Sequence, residues 1–457
     1  MERPFGFRDK FGYLMGDIGN DFTFVLSSTF LLKFYTDVMG VSAAVVGVIM
    51  MVARFVDAFT DVTMGRICDK SKTTKNGKFK PWLLRMCGPV AISSFLIYQS
   101  RLADMPMGFK IAYLFITYIL WGSVFYTAAN IPYGSMASAI SEDPGDRQSL
   151  STYRSVGASF ASVLVGAFIP LIAYKEVNGL VVLDGEIFTT ISGIFSVFAI
   201  ISYIICYVLV TERVNLETDP NLAKRNNVVQ MLKNALTNRA LISIICASIA
   251  MLTAQLIIQS MANYVFPNYY GNTTAQSVSM VLMLVGTVMI AVVAKPLAIK
   301  VGKAEIGVIS GFIATGACVL LFLIRPQNVW VYVAIQGICW LSLGVFMLIS
   351  WAMITDVIDY SEIRNGIRED GAVYALYSFS RKLGQAAAAG LSGGLLTFVG
   401  YSEKTAFDRE VLEGIFNIST LVPAVGFLLL SIIMWVWYPL KKDQVEENVE
   451  TLRKKRS

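Results

Sequence analysis

The sequence predicts an all-α membrane protein of twelve transmembrane helices in two six-helix halves. Composition, twelve long apolar segments and an uneven distribution of loop charge predict it. Of 457 residues, 55% are hydrophobic and only 15% are charged, against about 25% in ordinary soluble domains. The mean hydropathy of +0.60 belongs to polytopic membrane chains. The start, Met1-Glu-Arg-Pro-Phe-Gly-Phe-Arg8, has no apolar core followed by a small-residue cleavage site, so the first spanning helix is expected to stay in the mature protein.

The first six segments fall at 12–37, 43–66, 81–101, 109–140, 150–174 and 187–210. The first carries Asp17, Asn20 and Asp21, with the two acids one helical turn apart. The second carries Arg54, Asp57 and Asp61, again a turn apart and on nearly one face. A carboxylate at mid-bilayer costs about 2.5–3.5 kcal/mol on insertion scales, so two on one face require a cation, a proton or a basic partner. The fourth segment holds Tyr126, Thr127 and Asn130, followed by Pro132, which is expected to interrupt the helical ladder. Arg154 opens the fifth.

The second six segments fall at 240–268, 275–300, 305–325, 328–359, 372–399 and 412–438. Arg381 and Lys382 lie inside the eleventh, where a charge is expected to face protein or an aqueous cavity. Asp356, Asp359 and Glu362, spaced three apart, end the tenth beside Arg364 and Arg368. These are either solvated helix ends or ion pairs of a cytoplasmic gate that closes in one conformation and breaks in the other.

Loop charge sets the orientation. The loops after segments 2, 4, 6, 8 and 10, with both termini, hold about four times as many Lys and Arg as the opposite loops. Lys70, Lys72, Lys75, Lys78 and Lys80 crowd one loop, and Arg213, Lys224, Arg225, Lys233 and Arg239 the longest one. Both termini are therefore expected in the cytoplasm, with the basic runs read as solvated loops or lipid-head-group contacts. The polar stretch divides the chain into a bundle at 1–210, a middle loop at 211–239, a second bundle at 240–440 and a tail at 441–457. A faint repeat supports the division: Phe34-Tyr35…Gly40 recurs as Tyr269-Tyr270-Gly271, and Trp121 then Arg154 as Trp340 then Arg381. Parallel six-helix repeats joined by a cytoplasmic loop are the architecture of major-facilitator transporters.

Other chemistries lack their residues. There is no histidine, which removes Ser-His-Asp and Cys-His catalysis and imidazole ligands. Gly390-Leu-Ser392-Gly-Gly394 matches a nucleophile elbow, but without a base it reads as a helix-packing segment. The six cysteines are scattered without a Cys-x-x-Cys pair, so they are expected in packing roles, with no disulfide framework or zinc site. A net charge of +6 concentrated in loops does not suggest nucleic-acid binding.

Several segments, in order, carry a family resemblance: Gly16-Asp17…Asp21-Phe22, Phe34-Tyr-Thr-Asp37, Arg54-x-x-Asp57-Ala-x-x-Asp61, Gly77-Lys-Phe-Lys-Pro-Trp82 and Asn130-Ile-Pro-Tyr133. Asp356-Val-Ile-Asp359-Tyr-Ser-Glu362 and Arg381-Lys382-x-Gly-Gln follow. Over nearly its whole length the chain resembles the glycoside–pentoside–hexuronide cation symporters, the group that includes melibiose permease and the bacterial glucuronide permeases. The resemblance implies that Asp57 and Asp61, with Thr127, hold the coupling cation, Na⁺ or H⁺, the two acids serving as the metal ligands if it is Na⁺. It implies that Asp21 and Arg154 bind the sugar, that Tyr126 lines that site and that Lys382 lies near the cation site; Lys382 and Asn130 are counted with the substrate-binding group. Asn130, Asn20 and Gly134 stand where melibiose permease has an aspartate, a lysine and a tryptophan, so that sugar pocket is not carried over intact.

The expected function is import of a glucuronide, xyloside or other glycoside by symport with Na⁺ or H⁺ through alternating access, in the bacterial inner membrane. The partners are the sugar, the coupling cation and the lipid bilayer, with no cofactor, no nucleic acid and a monomer as the working unit. A non-transporting sugar sensor on the same fold is the alternative. A membrane-embedded enzyme would need a nucleophile–base pair or metal cluster, and the sequence offers neither.

Overall fold

A computed structural model describes residues 3–214, 237–365 and 370–456. Helices stand on all twelve predicted segments. The first six are α1 (Phe7–Asp37), α2 (Ala43–Lys70), α3 (Lys80–Ile97), α4 (Met107–Ile140), α5 (Pro144–Val163, continued to Ile172) and α6 (Gly185–Leu209). A two-stranded hairpin, β1 (Tyr174–Val177) paired antiparallel with β2 (Leu180–Leu183), joins α5 to α6. Then come α7 (Arg239–Tyr269), α8 (Thr273–Val301), α9 (Lys303–Ile324), α10 (Val329–Asn365), α11 (Asp370–Phe398) and α12 (Arg409–Trp437). A final helix, α13 (Lys442–Arg456), occupies most of the tail and packs on α10 and α9.

Eight of these helices are long and apolar enough to cross a membrane by length and composition among the described residues. The others are α1, α3, α8 and α11; of these, α1 carries Asp17, Asp21 and Lys33 and α11 carries Arg381 and Lys382. Side chains such as Phe59, Val62, Leu323 and Trp435 are exposed along the spans. Apolar surface of that extent calls for acyl chains as its solvent.

The chain forms two compact units. The first contains the amino-terminal helices together with Gly271–Ser277 and Ser392–Val411; the second contains α7 up to Tyr270, Val278–Leu391 and the chain from Leu412 onward. In the first unit α1 packs most extensively on α6 and α5. Glycine allows a close approach in the same unit: a Cβ on Gly393 would run into the Ala43 carbonyl. That is the packing role expected of the Gly390–Gly394 stretch. In the second unit α9 lies along α10 around a core that includes Leu241, Phe346 and Phe427. The faint repeat has a backbone counterpart, for Gly40 and Gly271 close their helix ends at φ of 64° and 62°.

Lys33 is buried on α1, where it pairs with Asp37 at 2.7 Å. Its Nζ also donates to the Tyr401 hydroxyl at 3.0 Å, and that hydroxyl donates to Asp37 at 2.7 Å. All three residues belong to the first unit, although Tyr401 follows α11 in sequence.

The lysine-rich loop after α2 is not wholly solvated, contrary to the sequence expectation. Lys78 is buried, and the backbone N–H groups of Lys78, Phe79 and Lys80 donate to the Glu212 carboxylate at 2.6–3.0 Å. Glu212 therefore caps the amino terminus of α3. Gly77, at φ 103°, leaves it room. The acids after α4 are local caps: Asp143 accepts from the Asp146 N–H at 2.9 Å and Ser141 donates to Asp146 at 2.7 Å. All six cysteines are free thiols, and most of the 211–239 loop lies outside the described residues.

Candidate functional site

The two acids of α2 meet α4 as a ladder of two rungs. The Ser123 hydroxyl donates to Asp57 Oδ1 at 2.5 Å, and the Thr127 hydroxyl reaches Asp61 Oδ1 at 3.0 Å. Both rungs span the same sequence interval of 66 residues, as two helices running side by side in one direction require. Asp57 Oδ2 faces Arg54 at 3.1 Å, and Arg54 also donates to the Tyr118 hydroxyl and lies over the Phe24 ring. Asp57 is buried, whereas Phe59, between the two acids, is 76% exposed. The helix thus turns its acids inward and its phenylalanine outward.

The α4 side of the ladder falls in a π-helical stretch, Leu120–Tyr126. Its wider turn admits one extra residue, and the Gly122 carbonyl lies 3.2 Å from the Thr127 hydroxyl. Pro132, expected to interrupt the ladder, lies inside the regular helix Thr127–Ile140. It removes a single N–H donor, while the departure from α-helical geometry sits upstream. Carboxylates, hydroxyls and a carbonyl make an oxygen-rich set that suits a hard monovalent ion or a proton. Among the described residues no group of three or more acidic, histidine or cysteine side chains could hold a metal ion.

A second cluster lies on α1, α4 and α5. Arg154 Nε donates to Asp17 Oδ1 at 3.0 Å, and its guanidinium lies over the Tyr133 ring at 5.4 Å. Asp21, a turn beyond Asp17, is half-buried, as are Tyr126 and Asn130. Tyr126 stacks on Phe24 at 5.7 Å and touches Trp121. Phe24 lies under both Tyr126 and Arg54, so it stands between the acid ladder and this cluster. Asn20 points elsewhere, its Oδ1 accepting from the Tyr203 hydroxyl of α6 at 2.7 Å.

The remaining candidates lie in the second unit. Lys382 is half-buried on α11, and its neighbour Arg381 lies over Trp351, which stacks on Tyr374. Asp356 pairs with Lys303 at the start of α9, both carboxylate oxygens within 2.8 Å of Nζ. The sequence had set Asp356 beside Arg364 and Arg368. The pairing differs because helical spacing registers neighbours on one helix and not a lysine on the next. Arg364 donates to the Thr237 carbonyl at 3.3 Å. Asp359 and Glu362 lie on the same helix end, and Arg368 lies outside the described residues.

A family model described as MFS/sugar transport protein matches residues 12–442. The chain belongs to that family. Among its relatives, the glucuronide carrier protein homolog of Escherichia coli (strain K12) is 32% identical, with 98% of this chain and 96% of that one covered. The uncharacterised symporter YjmB of Bacillus subtilis (strain 168) is 30% identical over 99% and 97% of the two chains. The crystal structure of a D-xylose-proton symporter superposes with a TM-score of 0.66 at 14% identity, over 94% of this chain and 97% of that one.

As a member of the MFS/sugar transport family the protein is a multi-pass membrane transporter and not an enzyme. The twelve long helices α1–α12 among the described residues have the major-facilitator fold. Within that fold, sequence reasoning left Ser123 and Asp17 without roles, although Ser123 donates to Asp57 at 2.5 Å and Asp17 accepts from Arg154 at 3.0 Å. Ser123 was detectable as the residue one turn before Thr127, matching Asp57 before Asp61. Asp17 was seen as intramembrane, but nothing in the sequence separates it from Asp21.

Proposed function

We propose that the protein imports a sugar, a glucuronide, xyloside or other glycoside, by symport with Na⁺ or H⁺ through alternating access. The observation that carries the reading is the acid ladder, in which two intramembrane carboxylates are matched rung for rung by hydroxyls. Asp57 and Asp61, with Thr127, take the coupling cation and thereby lower the local negative charge. Asp21, Asn130 and Arg154 then hydrogen-bond the sugar and Tyr126 offers it an aromatic face, and Lys382 is assigned to the same substrate-binding group. Arg54 is the internal cation that shares Asp57 when the coupling ion is absent. Carboxylates accept either ion, so the ladder is compatible with both.

The glucuronide-carrier relative favours an anionic sugar, and Asn130 in place of an acid reduces repulsion of one. The positive-inside bias supports a bacterial inner-membrane protein with both termini cytoplasmic, and Asp356, Asp359, Glu362, Arg364 and Arg368 are assigned to a cytoplasmic gate. A monomer suffices for this cycle.

Uptake of radiolabelled methyl β-D-glucuronide and methyl β-D-glucoside into sealed vesicles, with and without a Na⁺ or H⁺ gradient, tests the reading. Wild-type protein should accumulate one of them against its gradient, and Asp57→Cys should abolish accumulation. Full gradient-driven uptake by Asp57→Cys would overturn the coupling role. Sugar binding with no uptake at all would favour a sensor.

A further inference from the structure

Asp17 is acidic and intramembrane, yet it has almost no surface: its side chain is 5% exposed, against 43% for Arg154. A ligand meets Arg154 and not Asp17. The contact between them is made at Arg154 Nε, 3.0 Å from Oδ1. Nε is on the stem side of the guanidinium, so a bond there leaves the two terminal nitrogens to other partners.

The group is held from below as well. The Tyr133 ring lies under the guanidinium at 5.4 Å. That ring stacks on Tyr13 at 4.6 Å, and its hydroxyl donates to the Tyr13 carbonyl at 2.7 Å. Glycines bring the helices close enough for this. A Cβ on Gly157 would lie 2.7 Å from the Leu14 carbonyl, and one on Gly16 would lie 2.5 Å from the Tyr133 ring. Gly134 leaves space beside Nη1, where a Cβ would still be 3.9 Å away.

We propose that Asp17 is a positioning residue of the sugar site. It fixes Arg154 by Nε above Tyr133, so that the terminal nitrogens form a two-pronged donor for a sugar carboxylate or a pair of adjacent hydroxyls. This rests on the assignment of Arg154 to substrate binding; Asp17 itself does not touch the sugar. Neither Asp57 nor Asp61 takes part, so the device is separate from ion coupling.

Two measurements on the purified full-length protein test it. Phenylglyoxal labelling of Arg154, followed by peptide mass spectrometry, needs no substrate. Asp17→Asn keeps the acceptor without its charge, and Asp17→Ala removes both. Labelling should quicken several-fold in Asp17→Ala and by less in Asp17→Asn, because the carboxylate no longer holds the guanidinium. In proteoliposomes, KM for whichever methyl β-D-glycoside is taken up should rise about tenfold in Asp17→Ala while the maximal rate stays within about twofold. In an Arg154→Lys background the same Asp17 substitution should add less than about twofold, as expected for coupled residues.

Unchanged labelling, an unmoved KM or fully additive effects would each overturn the proposal. If Asp17→Ala does not fold, Asp17→Asn carries the same comparisons. Wild-type protein that transports neither glycoside, with labelling still accelerated, would sink the sugar assignment of Arg154 while sustaining its pairing with Asp17.

Discussion

Ser123 gives Asp57 a hydrogen bond at 2.5 Å inside a buried site, where an unmet acceptor costs about 1–3 kcal/mol. Ser123→Ala should lower the melting temperature measurably and weaken the Na⁺- or H⁺-dependence of uptake several-fold, with sugar KM at saturating cation little changed. Thermal unfolding and cation titrations of uptake check the two halves of that expectation. Asp57 and Asp61 were legible because charge in an apolar run is conspicuous and helical spacing fixes their common face. Ser123 was not, since a serine in a membrane helix is ordinary until its partner across the helix pair is known. The same holds for Lys303, a loop-end lysine in the sequence and the partner of Asp356 in the structure.

At the scale of elements, the α3 terminus shows how a motif without an assigned role can be architectural. Gly77 combines φ of 103° with a position where a Cβ would come within 2.5 Å of the Glu212 carboxyl carbon. Gly77→Ala is therefore strained twice and should destabilise the protein by more than the ~1 kcal/mol usual for losing a cap. Urea or thermal unfolding in detergent would register it. Burial pushes the Glu212 carboxyl above the usual carboxylate range, with the three N–H donors opposing it only in part. The folded state then holds that proton more tightly than the unfolded chain. Its contribution is complete below the ordinary glutamate pKa and is lost as pH rises through the elevated folded value. Glu212→Gln should flatten this slope in a plot of melting temperature against pH. The helices themselves were readable from apolar length, and Pro132 shows the limit. A proline announces a missing donor, but the π-helical stretch lies upstream of it, at Leu120–Tyr126, and leaves no composition signal.

For the whole molecule, the apolar spans and the family match make a transporter, and loop charge adds an orientation open to direct measurement. A cysteine replacing Arg453 in α13 should react with a membrane-impermeant maleimide only after cells are permeabilised. Labelling of intact cells would reverse the assignment of both termini. The fold class was legible because the bilayer imposes length and polarity on every span. The composition of each compact unit was not, because chain order divides the sequence once, in the middle loop, whereas Tyr401 joins Lys33 and Asp37 across most of its length. That triad has a consequence for how the protein is made. A ribosome finishes α1 long before it reaches Tyr401, so Lys33 must spend most of synthesis with Asp37 as its sole member of the triad. A gene severed in the middle loop would therefore give two products, the first lacking the Gly271–Ser277 and Ser392–Val411 pieces of its own unit, and activity should return only when both are produced in the same cell.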